Sequence, residues 1–362
     1  MNGCSSRWFW LGIVLVLAFG VLPAAAQDDP IIVFTPYEGN PVFDRAAGEA
    51  WGGECGTIFA PQVIFDAGVY YLFYSGSCER SGRPAAIGFA TSTDGVDWST
   101  HADNPVLAPD GEGYDAMCIS IGVPVVEVGQ WYLYYAANST PCAGPGQHIG
   151  RAVAASPAGP WERTAEPLVE AGAAGDWDAG FIMPHAVIHT ETGYIMYYSG
   201  GQEFLTPLPR LFGIATSTDG EHWTKYDDPA TTEPPFDHSD PIMELQADGT
   251  AIPLEVWSAD IAHTDDGWEM IFSVTSSEST SPTSPTLLGY GTSVDGLHWQ
   301  LYREPAVMTR GQVNQAWASS CICYPTFVRH DDLYQVYFTG CTAELNDCRI
   351  GLAQGTITQP AP

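Results

Sequence analysis

The chain has 362 residues, 43 Asp+Glu against 12 Lys+Arg, and a net charge of −31. So acidic a surface repels phosphate backbones and anionic lipid. Nucleic acid is therefore excluded as an expected partner, while a neutral ligand such as a sugar carries no such penalty.

Arg7 is followed by an apolar run from Trp8 to Leu22 and then by Pro23-Ala24-Ala25-Ala26. This is the pattern of a secretory signal peptide over 1–26. The protein is expected outside the cytoplasm, extracellular or periplasmic, with no membrane contact after cleavage. Residues 27–362 are expected to form one domain. Next come Ile31-Ile32-Val33-Phe34 and Asn40-Pro41-Val42-Phe43. They resemble the end of a repeating unit, as at Asn104-Pro105-Val106-Leu107.

Five units follow. Most open on a short apolar run led by Pro: Pro61-Gln62-Val63-Ile64, Pro124-Val125-Val126, Pro184-His185-Ala186-Val187-Ile188 and Pro325-Thr326-Phe327-Val328, with Asp260-Ile261-Ala262 in unit four. An aromatic strand comes second, such as Tyr70-Tyr71-Leu72-Phe73-Tyr74 or Tyr194-Ile195-Met196-Tyr197-Tyr198. The third element is a recurring phrase: Ile87-Gly88-Phe89-Ala90-Thr91, Ile149-Gly150-Arg151-Ala152-Val153, Phe212-Gly213-Ile214-Ala215-Thr216, Leu288-Gly289-Tyr290-Gly291-Thr292 and Ile350-Gly351-Leu352-Ala353-Gln354. An Asp-Gly turn closes three units, at Asp94-Gly95, Asp219-Gly220 and Asp295-Gly296. Each unit reads as four antiparallel strands, and such sheets repeated radially make an all-β, five-bladed β-propeller. Unit five ends after its third strand, so the N-terminal segment is expected to supply the fourth and close the ring.

The strand order sorts residues onto two faces. The Asp-Gly turns fall on one face and are read as turn chemistry. The other face collects the cysteines. With Cys4 set aside, an even number remains in an exported chain, which reads as disulfides. The pairs expected are Cys55–Cys78, Cys118–Cys142, and two bridges joining Cys321 and Cys323 to Cys341 and Cys348. The same face carries the acids Glu54, Asp115, Asp178 and Glu203, the catalytic candidates. Trp51, Tyr114, Trp177, His185, Trp257, Asp260 and Trp317 are the substrate-binding candidates. Aromatic rings stack on sugar faces, and two carboxyls about 5–10 Å apart can hydrolyse a glycosidic bond.

The motifs Tyr70 to Gly76, Ile87 to Gly95 and Asn104 to Leu107 resemble those of the five-bladed propeller glycoside hydrolases, the group containing families 43, 32, 62, 68 and 130. That resemblance implies an acid from each of the first three blades. This chain has Ala60-Pro61, Val123-Pro124 and Ile182 where those families place them. Glu54, Asp115 and Asp178 come from the same blades, several residues earlier. The expected function is glycosidic hydrolysis of an oligo- or polysaccharide by a monomer. The alternatives are a non-catalytic carbohydrate-binding propeller and, on the Ser-x-Asp-Gly-x-x-Trp turns, a sialidase-like enzyme. No cofactor is expected to be required. The resemblance admits a Ca2+ ion in the central channel, with His185 as a ligand candidate and a core histidine as the other reading.

Overall fold

The computed structural model describes residues 29–44, 57–78, 83–142, 144–203, 210–277, 279, 281, 284–342 and 347–359. The expected signal peptide, Trp51, Glu54 and Cys55 lie outside the described residues, as does the Cys55–Cys78 bridge. Strand β1 (Ile31–Pro36) precedes the first sheet. That sheet runs β2 (Thr57–Asp66), β3 (Val69–Cys78), β4 (Arg83–Ser92) and β5 (Ser99–Thr100). The second runs β6 (Cys118–Glu127), β7 (Gln130–Asn138), β8 (His148–Ala154) and β9 (Glu162–Arg163). The third runs β10 (Phe181–Thr190), β11 (Gly193–Gly201), β12 (Leu211–Ser217) and β13 (Thr224–Lys225).

The fourth sheet is larger. To β14 (Met243–Leu245) and β15 (Ala251–Pro253) it adds β16 (Ser258–Thr264), β17 (Gly267–Val274), β18 (Leu287–Ser293), β19 (His298–Tyr302) and β20 (Met308–Thr309). The fifth is built from β21 (Cys321–His330), β22 (Leu333–Cys341) and β23 (Cys348–Thr358). Its outer strand is β1, paired antiparallel to β23 from Ile31 opposite Thr358 to Pro36 opposite Ala353. The N-terminal segment therefore completes the last sheet, as its sequence suggests.

The fold is an all-β propeller. Inner strand β2 packs on β6, β6 on β10, β10 on β16, β16 on β21, and β21 back on β2. Between the sheets lie apolar clusters that include the aromatic strands, among them Tyr74, Phe73, Tyr198, Phe272 and Phe338. Burying such rings is the main driving force for stacking one sheet on the next.

The recurring phrase owes its glycine to this packing. A Cβ on Gly150 would meet the Tyr114 hydroxyl at 2.2 Å, and one on Gly213 would lie 2.7 Å from Tyr198 and 2.9 Å from Trp177. A Cβ on Gly351 would meet Trp317 at 2.6 Å and Phe338 at 2.7 Å. An aromatic ring lies against each of these glycines, so no side chain fits.

The Asp-Gly turns are structural. Ser92 Oγ accepts from Gly95 N at 2.9 Å, and Asp94 Oδ1 accepts from Val96 N at 2.8 Å and Asp97 N at 2.9 Å. Ser217/Asp219 and Ser293/Asp295 repeat the pattern. Gly95, Gly220 and Gly296 hold φ of 76°, 73° and 75°, the left-handed region that glycine enters without strain. The neighbouring sheet donates to each turn: Tyr337 to Gly95 O, Arg151 to Gly220 O and Tyr197 to Gly296 O.

Candidate functional site: the axial mouth

The inner strands are not regular where they begin. Register slips occur in β2 between Phe59 and Gln62, in β6 between Ser120 and Val123, and in β21 between Cys323 and Thr326. At each slip a non-glycine residue sits in the left-handed region: Ala60 at φ 50°, Ile121 at 52° and Tyr324 at 48°. Such residues cost about 1–3 kcal/mol each and persist only where the surroundings hold them.

Here the next sheet holds them. Ala60 N donates to Thr339 Oγ1 at 2.9 Å, Ile121 N to Ser75 Oγ at 2.8 Å, and Tyr324 N to Ser258 Oγ at 2.8 Å. Ser258 is in turn bonded to Ser273 at 2.7 Å. Between sheets two and three the corresponding residues are Ala136 and Pro184. Ala136 has no hydroxyl, and Pro184 has no N–H to satisfy. Between sheets three and four the link is His185, bonded to Ser199 Oγ at 2.9 Å and to the backbone of Ala259.

Around these strand starts the rings of Phe59, Phe181 and Tyr324 form one cluster with Ala60, Ile121, Ala136 and Met183. Phe59 and Tyr324 stand 6.4 Å apart. Arg210 enters from β12's leading end. It is 5% exposed, with its guanidinium 3.7 Å from the Trp257 ring centroid and 5.2 Å from that of Phe181. It also bonds to the Tyr324 side chain, and burial draws its pKa down. The half-buried rings of Phe59, Trp257 and Tyr324, backed by the buried Phe181 and Arg210, make a surface suited to stacking.

The acids expected to work beside this mouth are mostly engaged elsewhere. Asp115 is 3% exposed. It accepts from Tyr135 at 2.9 Å and pairs with Arg163 Nη1 at 3.0 Å. Asp178 repeats the arrangement one sheet on. It is fully buried, accepts from Tyr198 at 3.4 Å and pairs with Lys225 Nζ at 2.6 Å. Arg163 and Lys225 belong to the short outer strands β9 and β13. Both acids thus tie a loop to the outer strand of its own sheet. Glu203 is exposed after β11.

The aromatic candidates divide in the same way. Tyr114, Trp177 and Trp317 cover the phrase glycines. Trp177 stacks on Tyr198 and Trp317 on Phe338, with ring centroids 5.7 and 6.1 Å apart. The fifth sheet has Ala318 where sheets two and three have Asp115 and Asp178, and Phe338 where they have Tyr135 and Tyr198, so the acid and the hydroxyl are lost together. Only Trp257 joins the mouth. His185 is 1% exposed, stacked on Phe212 at 4.8 Å, and held neutral because burial and then Arg210 push its pKa down to about 3. It laces sheet three to sheet four.

Asp260 is also a tie. Its Oδ2 accepts from Thr326 Oγ1 and Phe327 N, both at 2.9 Å, and its Oδ1 accepts from Ile261 N at 2.9 Å. Burial, against those bonds, pushes its carboxyl up to about 6. Phe59, Phe181 and Tyr324 are absent from the set expected on sequence, whereas Arg210 is on the face where the strand order puts it. The X-Pro steps Ala60-Pro61 and Tyr324-Pro325 are the available signal. One group among the described residues gathers metal-ligand atoms: Asp176, Asp237 and His238. His238 Nδ1 lies 2.9 Å from Asp176 Oδ1, which raises its pKa.

The cysteines depart from expectation in the fifth sheet. Cys118–Cys142 is bridged, but Cys341 pairs with Cys348, and Cys321 and Cys323 are buried thiols. Cys341 and Cys348 face each other across β22 and β23, so the last hairpin closes on itself.

The fold is shared with glycoside hydrolases. The structure of BT0996 in its RGII complex superposes with a TM-score of 0.67 at 16% identity, covering 91% of each of the two proteins. Zg3597, a family 117 glycoside hydrolase from Zobellia galactanivorans, gives 0.58 at 16% identity over 91% of both. The GH43_1 enzyme from Xanthomonas citri, complexed with xylotriose, gives 0.58 at 13% identity over 88% of this protein and 97% of that one. No family model matches the sequence. Two uncharacterized proteins of Mycobacterium tuberculosis, MT1551 and Rv1502, are 27% identical over 179 residues, 48% of this chain. The chain spans about half the length of these curated relatives, 52%.

Proposed function

We propose that this chain is a secreted, monomeric glycoside hydrolase of the five-bladed propeller type, with an oligo- or polysaccharide bound across the axial mouth. The cyclic contacts of five inner strands support the blade count. The Cys118–Cys142 bridge suits an extracellular or periplasmic protein. The observation that carries the reading is the mouth itself: the half-buried rings of Phe59, Trp257 and Tyr324 at the strand starts, backed by the buried Phe181 and Arg210, in a fold that glycoside hydrolases share. A pyranose packs against the exposed part of Trp257, whose ring the buried Arg210 guanidinium holds in place from one face. Glu203 and Glu54, one from the loop after β11 and one from the segment before β2, are the acids left to act as general acid and as base or nucleophile. Asp115 and Asp178 position their loops and outer strands.

A second reading, a non-catalytic carbohydrate binder, is favoured by those two ion pairs and by the apolar residues at the strand starts. One experiment separates the readings. Calorimetry and reducing-end release are measured over a panel of neutral and acidic oligosaccharides. Binding weakened about tenfold in Trp257→Ala, with turnover abolished in Glu203→Gln or Glu54→Gln at unchanged melting temperature, is the expected result. Binding without turnover selects the second reading, and no binding across the panel overturns both.

A further inference from the structure

The fifth sheet carries four sulfurs in one place. Cys321 stands directly opposite Cys341 on β21 and β22, and Cys341 directly opposite Cys348 on β22 and β23. Side chains directly opposite in a sheet share a face, as do residues two apart on one strand. Cys323 therefore shares the face, one step along β21 and opposite Thr339, and its Sγ lies 3.6 Å from that of Cys321. All four pack together with Trp257 and Tyr324. Cys341 stands in register with a cysteine on each neighbouring strand and is bonded to one of them, Cys348.

We propose that these four cysteines form a dithiol–disulfide exchange site, in which two electrons pass between the Cys321/Cys323 pair and the Cys341–Cys348 bridge. In the first step the Cys321 thiolate attacks Cys341 Sγ. The Cys321–Cys341 bond forms, the Cys341–Cys348 bond breaks, and Cys348 leaves as a thiolate that takes up a proton. In the second step the Cys323 thiolate attacks Cys321 Sγ, and Cys341 leaves and is protonated. One dithiol is oxidised and one disulfide reduced, with no outside oxidant. The adjacent Cys321 sulfur and burial push the Cys323 thiol well up, which disfavours it as the first nucleophile. Because Trp257 and Tyr324 rest on this cluster and Arg210 stacks on Trp257, the pairing state changes what supports the mouth. That consequence rests on the sugar-binding reading; the exchange does not.

The test uses the full chain with its disulfides intact. It is held in mildly alkaline buffer, quenched in acid, alkylated with N-ethylmaleimide and mapped by peptide mass spectrometry. Cys323→Ser, which blocks the second step, is expected to accumulate the Cys321–Cys341 crosslink with Cys348 alkylated. Cys321→Ser is expected to keep Cys341–Cys348 alone. The wild type is expected to yield both Cys341–Cys348 and Cys321–Cys323. If wild type and Cys323→Ser both return only Cys341–Cys348, with Cys321 alkylated as a free thiol, the exchange site is overturned. Exchange that leaves glycan affinity unchanged removes the link to the mouth while keeping the site.

Discussion

At the level of single residues, a side chain's chemistry is legible in the sequence and its partner is not. Asp115, Asp178 and Asp260 read as a catalytic or binding set because acids recur ahead of, or at, strand starts. In the fold each meets a group far along the chain: Arg163, Lys225 and Thr326. Sequence spacing carries no information about these contacts, two made inside a sheet between a loop and its outer strand and one made between neighbouring sheets. Asp260 makes a measurable case. Its folded pKa of about 6 lies above the ordinary carboxylate value, so the folded state holds the proton more tightly than the unfolded one. Its contribution to stability is fully present below about pH 4 and lost as pH rises through about 6. Urea denaturation across this window should show a fall of about 3 kcal/mol that Asp260→Asn removes. An unchanged slope in the variant would assign the pH dependence to another group.

At the level of elements, the repeat predicts the strands and the Asp-Gly turns correctly, because both depend on local patterns: aromatic alternation for strands, left-handed glycine for turns. The reason for the phrase glycine is not local. It is there because a ring from the preceding loop occupies the space a Cβ needs. Gly213→Ala would place that carbon 2.7 Å from Tyr198 and 2.9 Å from Trp177. The variant is expected to lose about 1–3 kcal/mol, read as a lower urea midpoint at unchanged slope. An effect below about 0.5 kcal/mol would mean that the rings yield freely. The lacing of bulged strand starts by Ser75, Ser258 and Thr339 is equally invisible in the sequence, since an isolated hydroxyl in a strand signals nothing about which backbone N–H it will satisfy. Where no N–H needs a partner the hydroxyl is absent, as Ala136 is matched with Pro184.

For the whole molecule, ring closure is the decisive feature. The apolar run Ile31-Ile32-Val33-Phe34 has no partner near it in the chain, and its pairing with β23 joins the first strand to the last. Removal of residues 31–36 would expose the edge of β23 over Ala353–Thr358, and unpaired edges invite aggregation. The truncated protein is expected to unfold at lower temperature with a broadened transition and to aggregate in light scattering; a cooperative, monomeric melt like that of the full chain would show that β1 only decorates the ring. The sequence by itself determined the all-β class, the repeated unit, the turns and the use of the N-terminal strand, because each follows from periodicity or from turn chemistry within a few residues. Only the tertiary structure decided which acids are held in ion pairs, that the described mouth is built from Phe59, Phe181, Trp257, Tyr324 and Arg210, and which cysteines pair. The ion pairs and disulfides depend on which loop reaches which strand of its own sheet, and the mouth on which side chains meet when separate sheets close around one axis.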